Sequence, residues 1–258
     1  MDNLIKPTSA LISVYDKTCL LEITRVLVSK NVKITSTGGT EKELSKLVDK
    51  VFSVENETGY PSILGGRVKT LHPKIFGGIL QNPEKNSDLN DLSKFDIKSY
   101  DLVFVDLYPF ESSLKQNLSI EEHIEYIDIG GISLIRAAAK NFKNVVCIPS
   151  KNHLDTFLQE YNENNGQISL QTRKHLASET FKLTAQYDHL IAEYLNESKN
   201  NKSLRYGENP HQNAVFNGDL DSIFDQLNGK ELSYNNLLDI DAAMHLMYEF
   251  DNDKPTFA

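Results

Sequence analysis

Paired glycines, surrounded by cationic, phenolic and carboxylate side chains, mark the first half of the chain as the part that could do chemistry. Four pairs fall between residues 38 and 131: Gly38-Gly39, Gly65-Gly66, Gly77-Gly78 and Gly130-Gly131. Glycine adopts positive φ and lets backbone N–H groups approach a ligand closely. A single pair is commonly only a turn, but four pairs in this span predict a pocket lined by backbone.

The first pair lies in the segment Thr37-Gly38-Gly39-Thr40, after a predicted strand and before a predicted helix. Free N–H groups at the start of a helix bind anions, so this loop predicts a phosphate site. It is neither a Walker A loop nor the GxGxxG dinucleotide fingerprint.

Two cations follow the second pair. Arg67 offers a bidentate contact to phosphate, and Lys69 offers a point charge or a proton. A solvated basic turn is the alternative interpretation of this segment. Tyr108, at the end of a predicted strand, could also donate a proton, although a packed aromatic ring is the commoner role at such a position.

A carboxylate stands just before the fourth pair, and a predicted helix follows it. Asp128 is the carboxylate, and Arg136 and Lys140 lie one turn apart on the same face of the helix. Lys140 either takes part in the chemistry or favours the helix C-terminus through its charge.

Metal and nucleophile motifs are missing from the sequence. The seven histidines are scattered, and the two cysteines, Cys19 and Cys147, form no CxxC. There is no Gly-x-Ser-x-Gly elbow either. The residues therefore predict a pocket without metal or cofactor that binds a small phosphate ester through Lys, Tyr, Asp and Gly.

The composition restricts the partners. The formal charge of −9 over 258 residues argues against duplex nucleic acid or an anionic membrane surface as the main partner. No apolar run is long enough for a transmembrane helix, and the first residues lack the pattern of a secretory signal. Together with the sparse cysteines, these features predict a cytoplasmic protein.

Strand-like and helix-like segments alternate along the first half. Strands are predicted at residues 10–14, 32–36, 101–107 and 145–148, and helices near 20–27, 41–48 and 132–141, the first of them capped by Asp16 or Thr18. This alternation predicts a mostly parallel α/β sheet with helices on both faces. Ligands of such sheets bind beyond the carboxyl ends of the strands.

The second half contains a long helical segment and then a break. Residues 169–195 are predicted to be helical, with Leu176, Phe181, Leu183, Tyr187, Leu190, Ile191 and Tyr194 as core. Eight residues without an apolar side chain follow from 196 to 203 and read as a linker. We therefore predict a first domain at 1–196, a linker at 197–203 and a short second domain at 204–258.

Seven segments together resemble a known bifunctional family of purine biosynthesis, which joins an IMP cyclohydrolase domain to an AICAR transformylase domain. They are residues 12–18 (ISVYDKT), 36–40 (STGGT), 65–73 (GGRVKTLHP), 106–110 (DLYPF), 127–131 (IDIGG), 136–141 (RAAAKN) and 204–212 (LRYGENPHQ). The resemblance implies a methylglyoxal-synthase-like three-layer α/β domain with a mostly parallel sheet. It also implies that an incomplete second α/β domain follows, from the start of the transformylase part.

The reaction implied by the resemblance closes the formylated aminoimidazole carboxamide ribotide (FAICAR) to inosine monophosphate (IMP) with loss of water. The implied catalytic residues are Lys69, Tyr108, Asp128 and Lys140, with Lys140 as proton donor and acceptor. The implied nucleotide-binding residues are Tyr15, Asp16, Lys17, Thr37, Gly38, Gly39, Thr40, Arg67, Val68, Thr70, Ile129, Gly130 and Gly131.

The sequence departs from the family pattern at three positions. Relatives often have Ser where Tyr15 stands, Gly where Cys19 stands and Asn where Asp106 stands. Tyr15 and Asp106 could change contacts to the base or the sugar, so Asp106 is left out of the predicted site.

The second domain resembles only part of a transformylase. Arg205 and Tyr206 match ribotide-binding residues, but the family's Lys-His pair and the site for its co-substrate, 10-formyltetrahydrofolate, are not in this sequence. We therefore expect cyclisation without formyl transfer from the 258-residue chain, no cofactor for the cyclisation, and a homodimer for full-length relatives.

Two rival functions share the fold. A phosphate-ligand regulatory domain would need the phosphate loop but not the acid and base residues. Methylglyoxal synthase is the other, and the 67–73 motif and the transformylase-like tail disfavour it.

Overall fold

The computed structural model describes residues 3–196 and 202–250. The chain forms two compact units, Met1–Ile191 (unit 1) and Ala192–Ala258 (unit 2), which divide five residues before the predicted end of the first domain. Residues 197–201 of the predicted linker lie outside the described residues. Lys202 and Ser203, also assigned to the linker, instead begin a strand.

Unit 1 alternates strands with helices. The strands are β1 (Ser9–Val14), β2 (Lys33–Ser36), β3 (Phe52–Ser53), β4 (Leu102–Asp106) and β5 (Val146–Ile148). The helices are α1 (Leu20–Ser29), α2 (Gly38–Leu44), α3 (Val54–Thr58), α4 (Pro73–Leu80), α5 (Asn86–Lys94), α6 (Phe110–Ser113), α7 (Ile120–Ile124), α8 (Gly130–Lys140), α9 (Leu154–Glu163) and α10 (Leu170–Leu195), the last four residues of which fall in unit 2. The four strands predicted from the sequence are confirmed, with ends shifted by a residue.

The five strands form one parallel sheet in the order β3-β2-β1-β4-β5. The chain builds outward from β1 in one direction, to β2 and β3, and then in the other, to β4 and β5. The crevice between β1 and β4 is therefore the topological switch point, where sheets of this kind bind ligands at the carboxyl ends of the strands.

Helices cover both faces of this sheet, because every second strand residue points to the same side. Ile12 and Phe104 pack with α1 and α9 on one face, whereas Leu11 and Val103 pack with α4 and α8 on the other. All four side chains have no solvent exposure. The predicted three-layer α/β architecture with a parallel sheet is confirmed.

Two helix starts differ from the prediction. Neither Asp16 nor Thr18 caps α1: the Asp16 carboxylate instead accepts the N–H and hydroxyl of Thr18, at 2.9 and 2.7 Å, and Cys19 precedes the helix. Helix α2 begins at Gly38, three residues before the predicted start, so the first glycine pair lies inside its first turn.

Helix α10 is tied to the rest of unit 1 by a fully buried arginine. The Arg173 guanidinium donates to the carbonyl oxygens of Ile168 (2.5 Å), Phe142 (3.0 Å), Asn3 (3.0 Å) and Lys143 (3.2 Å). Of the predicted core of this helix, Leu176 and Tyr187 are buried, but Phe181 is exposed and lies beneath the Arg136 guanidinium.

Unit 2 contains a hairpin and one long helix. The strands β6 (Lys202–Leu204) and β7 (Ala214–Phe216) pair antiparallel, and α11 spans Tyr234–Tyr248. A capping box of Ser233 and Asn236 begins α11, yet none of its residues is buried.

No helix in the described part of the chain combines the length and apolar character needed to cross a membrane.

Candidate active site

Several of the predicted site residues of unit 1 directly follow the carboxyl ends of the central strands. Tyr15 to Lys17 follow β1, Thr37 to Thr40 follow β2, and Tyr108 follows β4. Because the strands are parallel, these loops meet at one edge of the sheet, at the switch point between β1 and β4.

Two lysines converge on the first turn of α2. A Cβ placed on Gly38 would lie 2.9 Å from Nζ of Lys69, and one placed on Gly39 would lie 3.9 Å from Cε of Lys17. Gly38 has φ +56°, a conformation that favours glycine. Burial lowers the pKa of Lys17, whose ammonium donates to the carbonyl oxygens of Val14 and, at 3.0 Å, Tyr15. Positive charge therefore gathers where a helix start already favours an anion.

A second group consists of a carboxylate and two phenols. The Asp128 carboxylate accepts the backbone N–H of Gly131 at 2.6 Å, and it also accepts the backbone N–H of Tyr108. Burial raises the pKa of Asp128, and these two hydrogen bonds oppose the rise. Burial, and then the nearby Asp128 charge, raise the pKa of Tyr108, so its phenol stays protonated at neutral pH. Tyr15 packs edge-on against Tyr108, with ring centroids 5.6 Å apart.

The segment around Lys69 connects the two groups. Its side chain folds over Gly66, where a Cβ would lie 2.7 Å from Cε of Lys69. The next residue, Thr70, is 7% exposed, and its hydroxyl would lie 3.1 Å from a Cβ on Gly130. Lys69 thus faces the start of α2 while Thr70 faces the start of α8, next to Asp128.

Two hydroxyls that were predicted to bind the ligand form hydrogen bonds within the protein instead. The Thr37 hydroxyl donates to the carboxylate of Glu55 at 3.0 Å. The Thr40 hydroxyl donates to the carbonyl of Val14 at 3.0 Å and accepts its N–H at 3.1 Å. These side chains position the loop, and its backbone N–H groups are what it can offer to a ligand.

Arg67 is exposed and Val68 is half-buried. The Arg67 guanidinium donates to Glu125 at 3.2 Å, and both side chains are about two-thirds exposed, at 68% and 62%. Val68 pairs with Ile63 in an isolated bridge. The sequence interpretation missed Glu125 as the partner of Arg67, because 58 residues separate the two.

Lys140 is the one predicted catalytic residue that the structure does not bring to this edge. It ends α8, whose start carries Gly130 and Gly131, and a helix of 11 residues is about 15 Å long. Lys140 is exposed, whereas the neighbouring Asn141 amide donates at 2.8 Å to the carbonyl oxygens of both Ile79 and Gln81.

Not every glycine pair faces the pocket. A Cβ on Gly78 would collide with the carbonyl oxygen of Lys98, and one on Gly77 would lie 3.2 Å from Ile97. The pair at 77–78 therefore permits close packing of α4, and the prediction that four pairs line a pocket is wrong for this one.

Asp106 and Lys151 support the β1 loop from beneath. The Asp106 carboxylate accepts the N–H of Asp16 and the N–H of Lys151, each at 3.3 Å. The Lys151 ammonium donates to Asp16 at 2.5 Å, and this contact, ahead of those from Thr18, holds the pKa of Asp16 well below its usual range. Lys151 was missed, although its place just after β5 was a signal.

In unit 2, Arg205 and Tyr206 contact each other. The guanidinium lies 4.9 Å from the ring centroid and donates to the phenol oxygen at 3.2 Å. Hydrogen bonds from Ser233 and then Arg205 lower the pKa of Tyr206. Arg205 also lines an open cavity of about 540 Å³, together with Lys230, Glu231 and Asn236.

Two family models match the chain in succession. Residues 19–133 match the MGS-like domain, and residues 138–258 match the AICARFT/IMPCHase bienzyme. The first match spans Lys69, Tyr108 and Asp128, and the second includes Lys140, Arg205 and Tyr206.

Curated relatives carry the name bifunctional purine biosynthesis protein PurH. The protein from Bacteroides thetaiotaomicron is 47% identical over 253 residues, which are 95% of this chain and 50% of that protein. One from Clostridium botulinum is 44% identical over 257 residues, which are 94% of this chain and 51% of that protein. The chain thus spans about half the length of the curated relatives it matches.

A solved structure, the crystal structure of ForH, has a similar fold. It is 28% identical, with a TM-score of 0.59, over 72% of this chain and 98% of that chain. The parallel sheet, the two successive model matches and the identity to the PurH proteins agree with one another. The chain is therefore similar to the AICARFT/IMPCHase bienzyme proteins over about half of their length, and its first part is similar to the MGS-like domain.

Proposed function

We propose that unit 1 is an IMP cyclohydrolase, which closes FAICAR to IMP with loss of water. One observation carries this proposal: Lys17 and Lys69 converge on the start of α2 at the same sheet edge that holds Asp128 and Tyr108. A phosphate ester fits the first group, and proton transfer fits the second. The PurH names of the relatives favour this reaction over others on the same fold.

In the proposed complex the 5′-phosphate binds the backbone N–H groups of Gly38, Gly39 and Thr40, with Lys17 and Lys69 neutralising its charge. A structure with bound IMP tests this placement. A phosphate farther than one hydrogen-bond length from this loop would contradict it.

In the proposed reaction the carboxamide nitrogen attacks the formyl carbon, and a new C–N bond forms as the nitrogen loses a proton. Asp128 orients the carboxamide and accepts that proton, while Lys69 stabilises the charge that develops on the former formyl oxygen. Tyr108, whose phenol is protonated at neutral pH, donates to that oxygen. The proton that Asp128 accepted then passes to the same oxygen, so that the C–O bond breaks and water leaves. The former formamide nitrogen loses its proton to the Tyr108 phenolate as the C=N bond of the ring forms, which restores both side chains.

The catalytic role that the resemblance implies for Lys140 stays a prediction, because this residue lies at the far end of α8. Lys140→Ala decides it when turnover and IMP affinity are measured in parallel. Lost turnover with retained IMP affinity supports the role, and wild-type turnover removes Lys140 from the mechanism.

The central experiment is incubation of the chain with FAICAR while IMP formation is followed by absorbance. Lys69→Met should abolish most of this activity, whereas Lys46→Met, at an exposed lysine paired with Glu43, should not. A regulatory binding module would bind the nucleotide without turnover, and that result would replace the enzyme proposal with its rival.

Formyl transfer from 10-formyltetrahydrofolate is proposed for full-length members of the family, with Arg205 and Tyr206 at one edge of the ribotide site. The expectation that this 258-residue chain does not transfer the formyl group stays a prediction. Supplying the unformylated ribotide and the folate donor tests it, because appreciable tetrahydrofolate would contradict it. A homodimer is proposed for full-length members on the same resemblance, and a cytoplasmic location is proposed on the sparse cysteines.

A further inference from the structure

A buried phenol on α10 joins two peptide groups next to the proposed catalytic carboxylate. The Tyr187 hydroxyl donates to the carbonyl oxygen of Tyr126 at 2.9 Å and accepts the N–H of Asp128 at 2.8 Å. The side chain of Tyr187 is 8% exposed. One hydroxyl therefore fixes the peptide groups on both sides of Ile127.

The same side chain also contacts the loop that carries the proposed acid. The ring of Tyr187 packs edge-on against Phe110, with centroids 6.3 Å apart, and Phe110 follows Tyr108 by two residues. The backbone N–H of Tyr108 in turn donates to the Asp128 carboxylate. Tyr187 thus contacts both loops whose relative position sets the Asp128–Tyr108 geometry.

The hydroxyl keeps both hydrogen bonds over the working pH range. Burial raises the pKa of Tyr187 to about 12, so the group remains a donor to Tyr126 near neutral pH. Its position in the sequence, 59 residues after Asp128 and outside the MGS-like match, gave no sign of this contact.

We propose that Tyr187 is a positioning residue for the cyclisation: it holds residues 126–128 in place so that the Asp128 carboxylate faces the pocket at the β1–β4 crevice. The proposal rests on the proposed function for its catalytic consequence. Its structural part, the hold on the Asp128 loop, stands on the two hydrogen bonds alone.

The test compares two substitutions that each remove one buried phenol oxygen. Tyr187→Phe removes the hydroxyl that bonds Tyr126 and Asp128 but keeps the ring against Phe110. Tyr161→Phe is the matched control, because Tyr161 is fully buried against Phe157 and its hydroxyl has no hydrogen-bond partner among the described residues. Both variants are first checked for a wild-type-like CD spectrum and a melting temperature well above the assay temperature.

Amide exchange and steady-state kinetics are the two readouts. In Tyr187→Phe the Asp128 amide should exchange about tenfold faster, as expected when a peptide N–H loses its hydrogen bond. The kcat for FAICAR should fall about tenfold. KM and IMP affinity should stay within about twofold of wild type, because the substitution does not touch the residues proposed to bind the phosphate, Lys17, Lys69 and the start of α2. Tyr161→Phe should change none of these quantities.

Unchanged exchange at Asp128, or a kcat within twofold of wild type, would overturn the proposal. So would a parallel loss of kcat, IMP affinity and melting temperature, since that pattern indicates general loosening. If the wild-type chain forms no IMP, the proposed function fails by itself. The exchange measurement then still decides whether Tyr187 holds the Asp128 loop.

Discussion

Unit 1 and unit 2 contain the same kinds of elements but bury them to different degrees. In unit 1 both faces of the sheet are covered, and the core side chains Leu11, Ile12, Val103 and Phe104 have no exposure. In unit 2 no residue of α11 is buried, and Met244, Leu246 and Tyr248 are exposed.

The difference shows what a site requires beyond its side chains. The unit 1 residues lie on segments held by contacts distant in sequence, as Asp128 is held by the buried Tyr187 and Asp16 by Lys151. The side chains of Arg205 and Tyr206 contact each other and Ser233, and their peptide groups hydrogen-bond to Leu232 and Tyr234, just before a helix that has no buried residue. A capping box suffices to start a helix, but fixing a catalytic geometry takes a packed core.

The largest expected effect tests whether unit 1 carries out the proposed cyclisation. Lys69→Met removes the cation beside Gly38, and loss of one preorganised electrostatic contact costs about 100- to 1000-fold in kcat. IMP formation from FAICAR, with Lys46→Met as the control, measures it. A loss smaller than about fivefold would remove Lys69 from the proposed mechanism.

The next effect tests how much the buried Arg173 contributes to the stability of unit 1. Arg173→Leu removes a buried guanidinium that donates to four carbonyl oxygens, and we expect a loss of about 3 kcal/mol in the free energy of unfolding. Urea unfolding followed by far-UV CD measures it, since the chain has no tryptophan. Arg25→Leu, at an exposed position on α1, should change stability by less than about 0.5 kcal/mol. Equal effects from the two substitutions would contradict the anchoring role of Arg173.

A smaller effect is expected in unit 2. Ser233→Ala removes the N-cap of α11, which should cost about 1 kcal/mol locally. Amide exchange in the first turn of α11 should accelerate, while the unfolding of unit 1 stays unchanged. Ser203→Ala, at an exposed strand position, is the control. A shift in the unit 1 transition would show that the two units unfold together.

The smallest expected effect is on the melting temperature, and it concerns the buried carboxylate of Asp128. Burial raises the folded-state pKa of Asp128, so the ionised group reduces stability above that pKa, and the cost vanishes below the unfolded-state value of about 3.9. Asp128→Asn should therefore raise the melting temperature at pH 7 slightly and match wild type near pH 3, while activity is lost. Asp91→Asn, at an exposed position on α5, should show no such pH dependence. A lower melting temperature at pH 7 would contradict this reasoning.

The sequence determined by itself the features that depend on neighbouring residues. Apolar runs of strand length identified β1, β2, β4 and β5. The glycine pair at 38–39 lies at the start of α2, where the sequence predicts an anion site. The order of strands and helices was enough to predict a parallel sheet with its ligand edge at the carboxyl ends, and the motifs were enough to predict the family.

Only the tertiary structure decided which residues meet across that edge. Three of these contacts join partners that are far apart in sequence. The separations are 58 residues for Arg67 and Glu125, 135 for Asp16 and Lys151, and 59 for Asp128 and Tyr187. The same structure separated Lys140 from the group, because a straight helix carries its two ends about 15 Å apart. Local spacing specifies periodicity and turns, whereas contacts between distant segments depend on how the sheet is ordered and how the helices pack on it, and no local pattern encodes that order.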